Sequence, residues 1–173
     1  MREIKAVVYS VDELNEKAFK KAYEDWKESL DYHNELKEYI TEQLKELLAE
    51  NLYEVHGDLK VHYSLSHSQG DGAGFEGTVM CDGYKIEIKH KGGHYYHYNS
   101  YWFTFYRQLE EDAGDEWTEV KDNDAIIDDL KSIMRKLEKE GYSFIEGQEH
   151  EKTFKEQAKD LEFEFWENGR RYN

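Results

Sequence analysis

The spacing of apolar residues changes period once, near Leu59, and that change limits the fold more than any other feature. Before it, Phe19, Tyr23, Trp26 and Leu30 recur every three or four residues, and so do Leu36, Ile40, Leu44, Leu47 and Leu48. Residues at that spacing lie on one side of a helix. From Leu59 onward, Leu59, Val61, Tyr63 and Leu65 alternate with Lys60, His62, Ser64 and Ser66. A period of two is that of a half-buried strand. Helices followed by a run of strands, rather than strict alternation of the two, indicate an α+β chain.

The strand run is punctuated by turn residues. Phe75, Val79 and Cys81 resume the alternation, Asp82-Gly83 supplies a two-residue hairpin of type I′, and Tyr84, Ile86 and Ile88 return. Gly92-Gly93 turns the chain again into an aromatic run from Tyr95 to Tyr106. These runs predict an antiparallel sheet of four to six strands with a meander over 58–106. Helices over about 12–30, 34–52, 124–140 and 149–160 are expected mainly on one face, in a single domain over 1–173. Ile4–Tyr9 reads as a further short strand, Asp12 as a helix cap and Gly141 as a helix stop. Gln108 to Asn123 reads as an acidic loop. Residues 161–166 alternate as a short strand would, but a continued helix would also carry them.

Charge narrows the partners. The 173 residues carry a net charge of −16, distributed as −5 over 1–52, −1 over 53–107 and −10 over 108–173. Such a chain repels nucleic acid and anionic membrane and is drawn to basic protein surfaces, although the same charge also serves solubility. Ten carboxylates fall between Glu110 and Asp129: Glu110, Glu111, Asp112, Asp115, Glu116, Glu119, Asp122, Asp124, Asp128 and Asp129, against Lys121 alone. Such a set can imitate the charges of a phosphate backbone and occupy a basic channel. It also suits a solvated loop and a helix N-terminus.

Cys81 is the only cysteine, which excludes an internal disulfide and any paired-cysteine zinc or redox motif. No run approaches the roughly 20 apolar residues of a membrane span, and the N-terminus lacks the apolar core of a signal peptide. A cytoplasmic protein is expected, with no membrane partner and no cofactor.

The most conspicuous segment is Ser64–Gly77, with Ser68-Gln69-Gly70-Asp71-Gly72 at its centre. Its glycines could shape a nest of backbone N–H groups for an anion, yet no P-loop lysine follows. Asp71 could be catalytic or metal-binding, yet it lacks a second acid or a ligand set nearby in sequence. Or the segment is a shaped connection between strands, with Asp71 and Ser68 bonding local backbone. His62, His67, His90, His94 and His97 could supply ligands, but His94 and His97 would point to opposite faces of a strand. Cys81 on an apolar strand face reads as a small buried hydrophobe. The serines at 64, 66 and 68 lack a nucleophile elbow.

Leu14-x3-Ala18-x3-Ala22-x3-Trp26, the Ser68-Gln69-Gly70-Asp71-Gly72-x2-Phe75-Glu76-Gly77 segment, Ile133-Met134-Arg135 and the closing Phe163-Glu164-Phe165-x2-Asn168-Gly169 together resemble a family of small, mostly uncharacterised phage and prophage proteins. Some of that family are labelled antitoxin-like. Ala73-Gly74 and the histidines near the fourth strand depart from its pattern. The resemblance carries over no catalytic residues. It implies a mobile-element origin and residence in the cytoplasm of a host bacterial cell. By analogy with small acidic phage proteins that disable host factors, it suggests an anti-CRISPR-like, non-enzymatic inhibitor. Its acidic residues would meet a basic nucleic-acid-binding surface of a host protein such as a CRISPR effector, without binding nucleic acid directly. A small-ligand or metal-binding module built on the glycine-rich loop, or an antitoxin, are the alternatives.

Overall fold

The computed structural model describes residues 7–108 and 116–172. It is an α+β fold with four helices and one open five-stranded antiparallel meander. The helices are α1 (Glu16–Ser29), α2 (His33–Glu50), α3 (Asp124–Gln148) and α4 (Glu151–Asp160). The strands are β1 (Glu54–Ser64), β2 (Gly72–Cys81), β3 (Tyr84–His90), β4 (Tyr101–Arg107) and β5 (Thr118–Val120), in the spatial order of the sequence. Contacts divide the described chain into two compact units. One is made from both chain ends, up to Tyr32 and from Phe144 on; the other covers His33–Ser143.

In the central unit, period predicts burial. Leu36, Ile40, Leu44 and Leu48 of α2 are buried, as are Ile126, Leu130, Ile133, Met134 and Leu137 of α3. The sheet contributes Phe75, Val79, Ile86, Ile88 and Phe105, all at 2% exposure or less. Each such side chain stabilises the fold by roughly 1.5–3 kcal/mol before entropy is charged against it. Asp82 and Gly83 both have positive φ, +49° and +76°, as a type I′ hairpin requires. β1 advances four residues against two of β2 between His56 and Lys60, a bulge at Gly57.

Several boundaries differ from the sequence expectation. α3 runs through Gly141 to Gln148, beyond the expected helix end near 140, and so includes Tyr142–Ile145. Gly141 does not stop the helix. It lies against the side chains of Leu65 and Ile40, where a larger residue would collide. The fourth strand begins at Tyr101, not Tyr95. Residues 91–100 form a loop pinned by Lys91 N–H to Ser100 O (2.8 Å) and Ser100 N–H to His97 O (2.7 Å). The acidic loop contains β5, which pairs with Phe105–Arg107 of β4. The expected Ile4–Tyr9 strand lies partly outside the described residues; Tyr9 makes only an isolated bridge to Phe165.

In the terminal unit, α1 starts at Glu16, about four residues after the expected start near 12. Val11–Glu13 is a separate 3-10 turn capped by Ser10, and Asn15, not Asp12, caps α1 by accepting the Ala18 N–H (3.0 Å). The face that α1 buries carries Ala18, Ala22 and Trp26, with Phe19 and Tyr23 flanking it. Trp26 donates its indole N–H to Gln157 Oε1 (2.7 Å) and packs on Phe154. α4 begins at Glu151 with His150 as its cap. Residues 161–166 are neither a regular strand nor a continued helix. Leu161 and Glu162 turn, Glu162 with φ +49°, and Phe165 bridges Tyr9 and Arg171.

Candidate functional site

Asp71 closes the glycine-rich loop between β1 and β2. It is 8% exposed, and its carboxylate is fully engaged. Oδ1 accepts the hydroxyls of Ser64 (2.9 Å), Ser66 (3.2 Å) and Ser68 (2.9 Å). Oδ2 accepts the backbone N–H groups of Ser66 (2.6 Å) and Ser68 (3.0 Å) and the Tyr142 hydroxyl (2.6 Å). A carboxylate has about four lone-pair sites, so none is left for a metal or a substrate proton. Burial acts to raise this carboxyl's pKa. The hydrogen bonds from Tyr142, the Ser68 amide and the Ser64 and Ser68 hydroxyls outweigh burial and hold it well below the usual carboxylate range. Burial first, and then the same contact, push Tyr142 up to about 12.

The glycines serve close approach. A Cβ on Gly72 would sit 2.6 Å from Tyr96 O and 2.7 Å from His97 N, and one on Gly74 would enter the Tyr101 ring. The loop backbone is thus packed under residues 95–101, and Tyr96 N–H donates to Gly70 O (3.1 Å). A nest of free N–H groups does not form from Ser66, Ser68 and Asp71. Two of these amides point at Asp71's own carboxylate, and that of Asp71 at Ser68 O. Gln69 is exposed at the loop tip.

The histidines divide. His94 and His97 lie in the 91–100 loop, so strand alternation does not govern them. His62 and His90 come together with their rings stacked at 5.4 Å, beside Tyr96. His62 Nε2 meets Glu76 Oε2 at 2.9 Å, and His90 N–H donates to Glu76 Oε1 (3.0 Å). These contacts hold the Glu76 carboxyl below its usual range, the His62 bond contributing most. Gly92 N–H donates to His90 Nδ1 (3.2 Å), and the other ring nitrogen meets Tyr95 O (2.8 Å). Among the described residues no group of three or more His, Cys, Asp or Glu is arranged to hold a metal ion. Beside this group the Tyr101 hydroxyl is buried without a hydrogen-bond partner among the described residues, and burial pushes its pKa upward. Cys81 ends β2, half-buried, and burial raises its thiol.

Of the acidic set, Glu110, Glu111, Asp112 and Asp115 lie outside the described residues. Glu116, Glu119, Asp122, Asp124 and Asp128 are all exposed, on and around β5 and the first turns of α3. Among the described residues none of these five takes part in an ion pair, and Lys121 is the one basic residue between Glu116 and Asp128. Asp129 differs, since it accepts the Tyr53 hydroxyl (2.8 Å). β5 is an edge strand bonded to β4 on one side.

Three relationships escape sequence reading. Tyr142 reaches Asp71 from 71 positions away. His62 and His90 meet from two different strands. In the terminal unit, Gly169 lies against the Ala18 carbonyl, so the segments around these two residues pack on each other. The small residues at both places were the available signal. No helix among the described residues is long and apolar enough to cross a membrane. Comparison with protein-family models, with curated proteins and with solved structures finds no match to this chain.

Proposed function

We propose that this chain is a non-enzymatic binding protein whose acidic face occupies a basic, nucleic-acid-binding surface of a partner protein. The observation that carries this reading is the set of five exposed carboxylates, Glu116, Glu119, Asp122, Asp124 and Asp128, with no ion-pair partner among the described residues. Exposed carboxylates on a strand edge and helix start, without an ion-pair partner among the described residues, keep their field for a partner. The resemblance to phage and prophage proteins supplies the setting, a host defence nuclease of the CRISPR type. The six hydrogen bonds to the Asp71 carboxylate favour a structural task for the glycine-rich loop over a ligand site there.

The test is inhibition of target cleavage by a panel of purified RNA-guided nucleases. Wild-type protein is compared with a variant carrying Glu116→Gln, Glu119→Gln, Asp122→Asn, Asp124→Asn and Asp128→Asn. Inhibition of one nuclease by the wild type, relieved by neutralisation or by added salt, is the expected result. Co-purification of a toxin, with no effect on any nuclease, would instead indicate an antitoxin.

A further inference from the structure

The 91–100 segment crosses the glycine-rich loop as a strap, and His90 stands at its root. A Cβ on Gly72 would sit 2.6 Å from Tyr96 O, and Tyr96 N–H donates to Gly70 O (3.1 Å). The His90 ring holds the strap by both nitrogens. Nε2 meets Tyr95 O (2.8 Å); a carbonyl oxygen has no proton to give, so Nε2 carries the hydrogen. Nδ1 accepts the Gly92 N–H (3.2 Å). The two contacts together require the neutral ring in one tautomer. A second proton would set an Nδ1–H against the Gly92 N–H, donor against donor.

The charges around the ring do not offset that loss. Among the described residues, Glu76 of β2 is the carboxylate that touches this group. Its Oε2 meets His62 Nε2 (2.9 Å) and lies 3.7 Å from Lys60 Nζ, while Oε1 takes the His90 backbone N–H (3.0 Å). A proton added to His62 of β1 strengthens an existing contact, whereas one added to His90 breaks one. The two rings are 5.4 Å apart, so a charge on His62 opposes a charge on His90. Lys91, the next residue, is a further cation, bonded to Asn99 O (2.7 Å). The other neighbours are Tyr96, stacked at 5.2 Å, and Tyr101 of β4, edge-on at 5.1 Å. His97 repeats the arrangement more weakly, its Nδ1 accepting the Asn99 N–H at 3.4 Å. Glu138 of α3 is near enough to His97 for their charges to interact, so a proton there is partly compensated. Opening has a compensation of its own. The Tyr101 hydroxyl is buried without a hydrogen-bond partner among the described residues, and movement of the strap's Tyr96 would let water reach it.

We infer that His90 is a proton-sensitive latch, which closes the 91–100 strap over the glycine-rich loop when neutral and releases it when protonated. The closed form holds the unprotonated ring. Closure is therefore complete on the alkaline side of the histidine range and is lost as pH falls through it, between about 8 and 5. All of these groups lie in the unit His33–Ser143, and the latch does not depend on what the acidic face binds.

The test is amide hydrogen exchange on the whole protein at pH 7.5 and pH 5.5, expressed as protection factors, beside the nitrogen shifts of the His90 ring assigned with His90→Asn. Gly92 and Tyr96 are expected to lose at least about tenfold in protection on acidification, in step with protonation of that ring, while Leu44 in α2 keeps its own. Asn at position 90 still offers an oxygen to the Gly92 N–H and has no proton to gain, so in His90→Asn the difference between the two pH values is expected to vanish. Unchanged strap protection in the wild type, an equal loss at Leu44, a ring hydrogen on Nδ1 at pH 7.5, or the same acid response in His90→Asn would each overturn the assignment.

Discussion

The Tyr142 hydroxyl donates to Asp71 Oδ2 at 2.6 Å and so ties the loop between β1 and β2 to the C-terminal third of α3. The bond joins a buried, ionised acceptor to a neutral donor, the kind of hydrogen bond that contributes about 1.5–3 kcal/mol. Tyr142→Phe should lower stability by about that amount in urea unfolding. Asp71→Ala should cost more, on the order of 3–5 kcal/mol, because the Ser66 and Ser68 amides lose their acceptor as well. A double-mutant cycle should show that the two effects are not additive.

Acid should weaken the fold through the same carboxylate. Asp71 is held below its unfolded value of 3.8. A depressed carboxyl contributes stability that is complete above the unfolded value and is lost as pH falls from about 4 toward the folded value. Stability measured from pH 6 down to pH 2 should fall less steeply in Asp71→Asn than in the wild type. At the alkaline end the sign reverses. Tyr142 is raised to about 12 in the fold, so its contribution is complete below pH 10 and is lost as pH rises toward 12.

Gly72 is required by contact. A Cβ there would press on Tyr96 O at 2.6 Å and His97 N at 2.7 Å, both backbone atoms that cannot swing aside. Gly72→Ala should cost about 1–3 kcal/mol by overpacking. Gly83→Ala, at the exposed hairpin where a Cβ would meet nothing within 4 Å and only the positive φ opposes it, should cost less than Gly72→Ala. Thermal unfolding of the two variants side by side checks the order.

Glu149 anchors the terminal unit. It accepts the Tyr32 hydroxyl (2.8 Å) and pairs with Lys27 Nζ (2.8 Å), while its backbone carbonyl accepts the Tyr23 hydroxyl (2.6 Å). Both ionic partners are about one-third exposed, so solvent screening keeps the pair modest. Glu149→Gln should lower stability by about 1 kcal/mol, and the loss should shrink as salt is added.

Much of the fold was legible because hydrophobic period is local. The stripe of α2, the alternation of β3 and the Asp82-Gly83 hairpin each declare themselves within ten to twenty residues. What was not legible depended on contact at a distance. Gly141 looks like a helix stop from its neighbours, and only Leu65 and Ile40 explain why it sits inside α3. The aromatic run 95–100 looks like a strand, but the loop's own hydrogen bonds and its packing over Gly72 hold it apart from β4. β5 spans three residues, too few for alternation to show. At the candidate site, the acids of the 116–128 stretch are visible in the sequence. Their exposure, and the lack of an ion pair to any of them among the described residues, are not.

The most direct measurement is the dissociation constant of the protein for an RNA-guided defence nuclease, followed from low to high salt. The probe pair is the wild type and the variant neutralised at Glu116, Glu119, Asp122, Asp124 and Asp128. Docking through the acidic face predicts that wild-type binding weakens steeply with salt, and that the variant binds at least about tenfold more weakly with a shallower salt slope. Equal affinity and equal salt slope for the two proteins would contradict it.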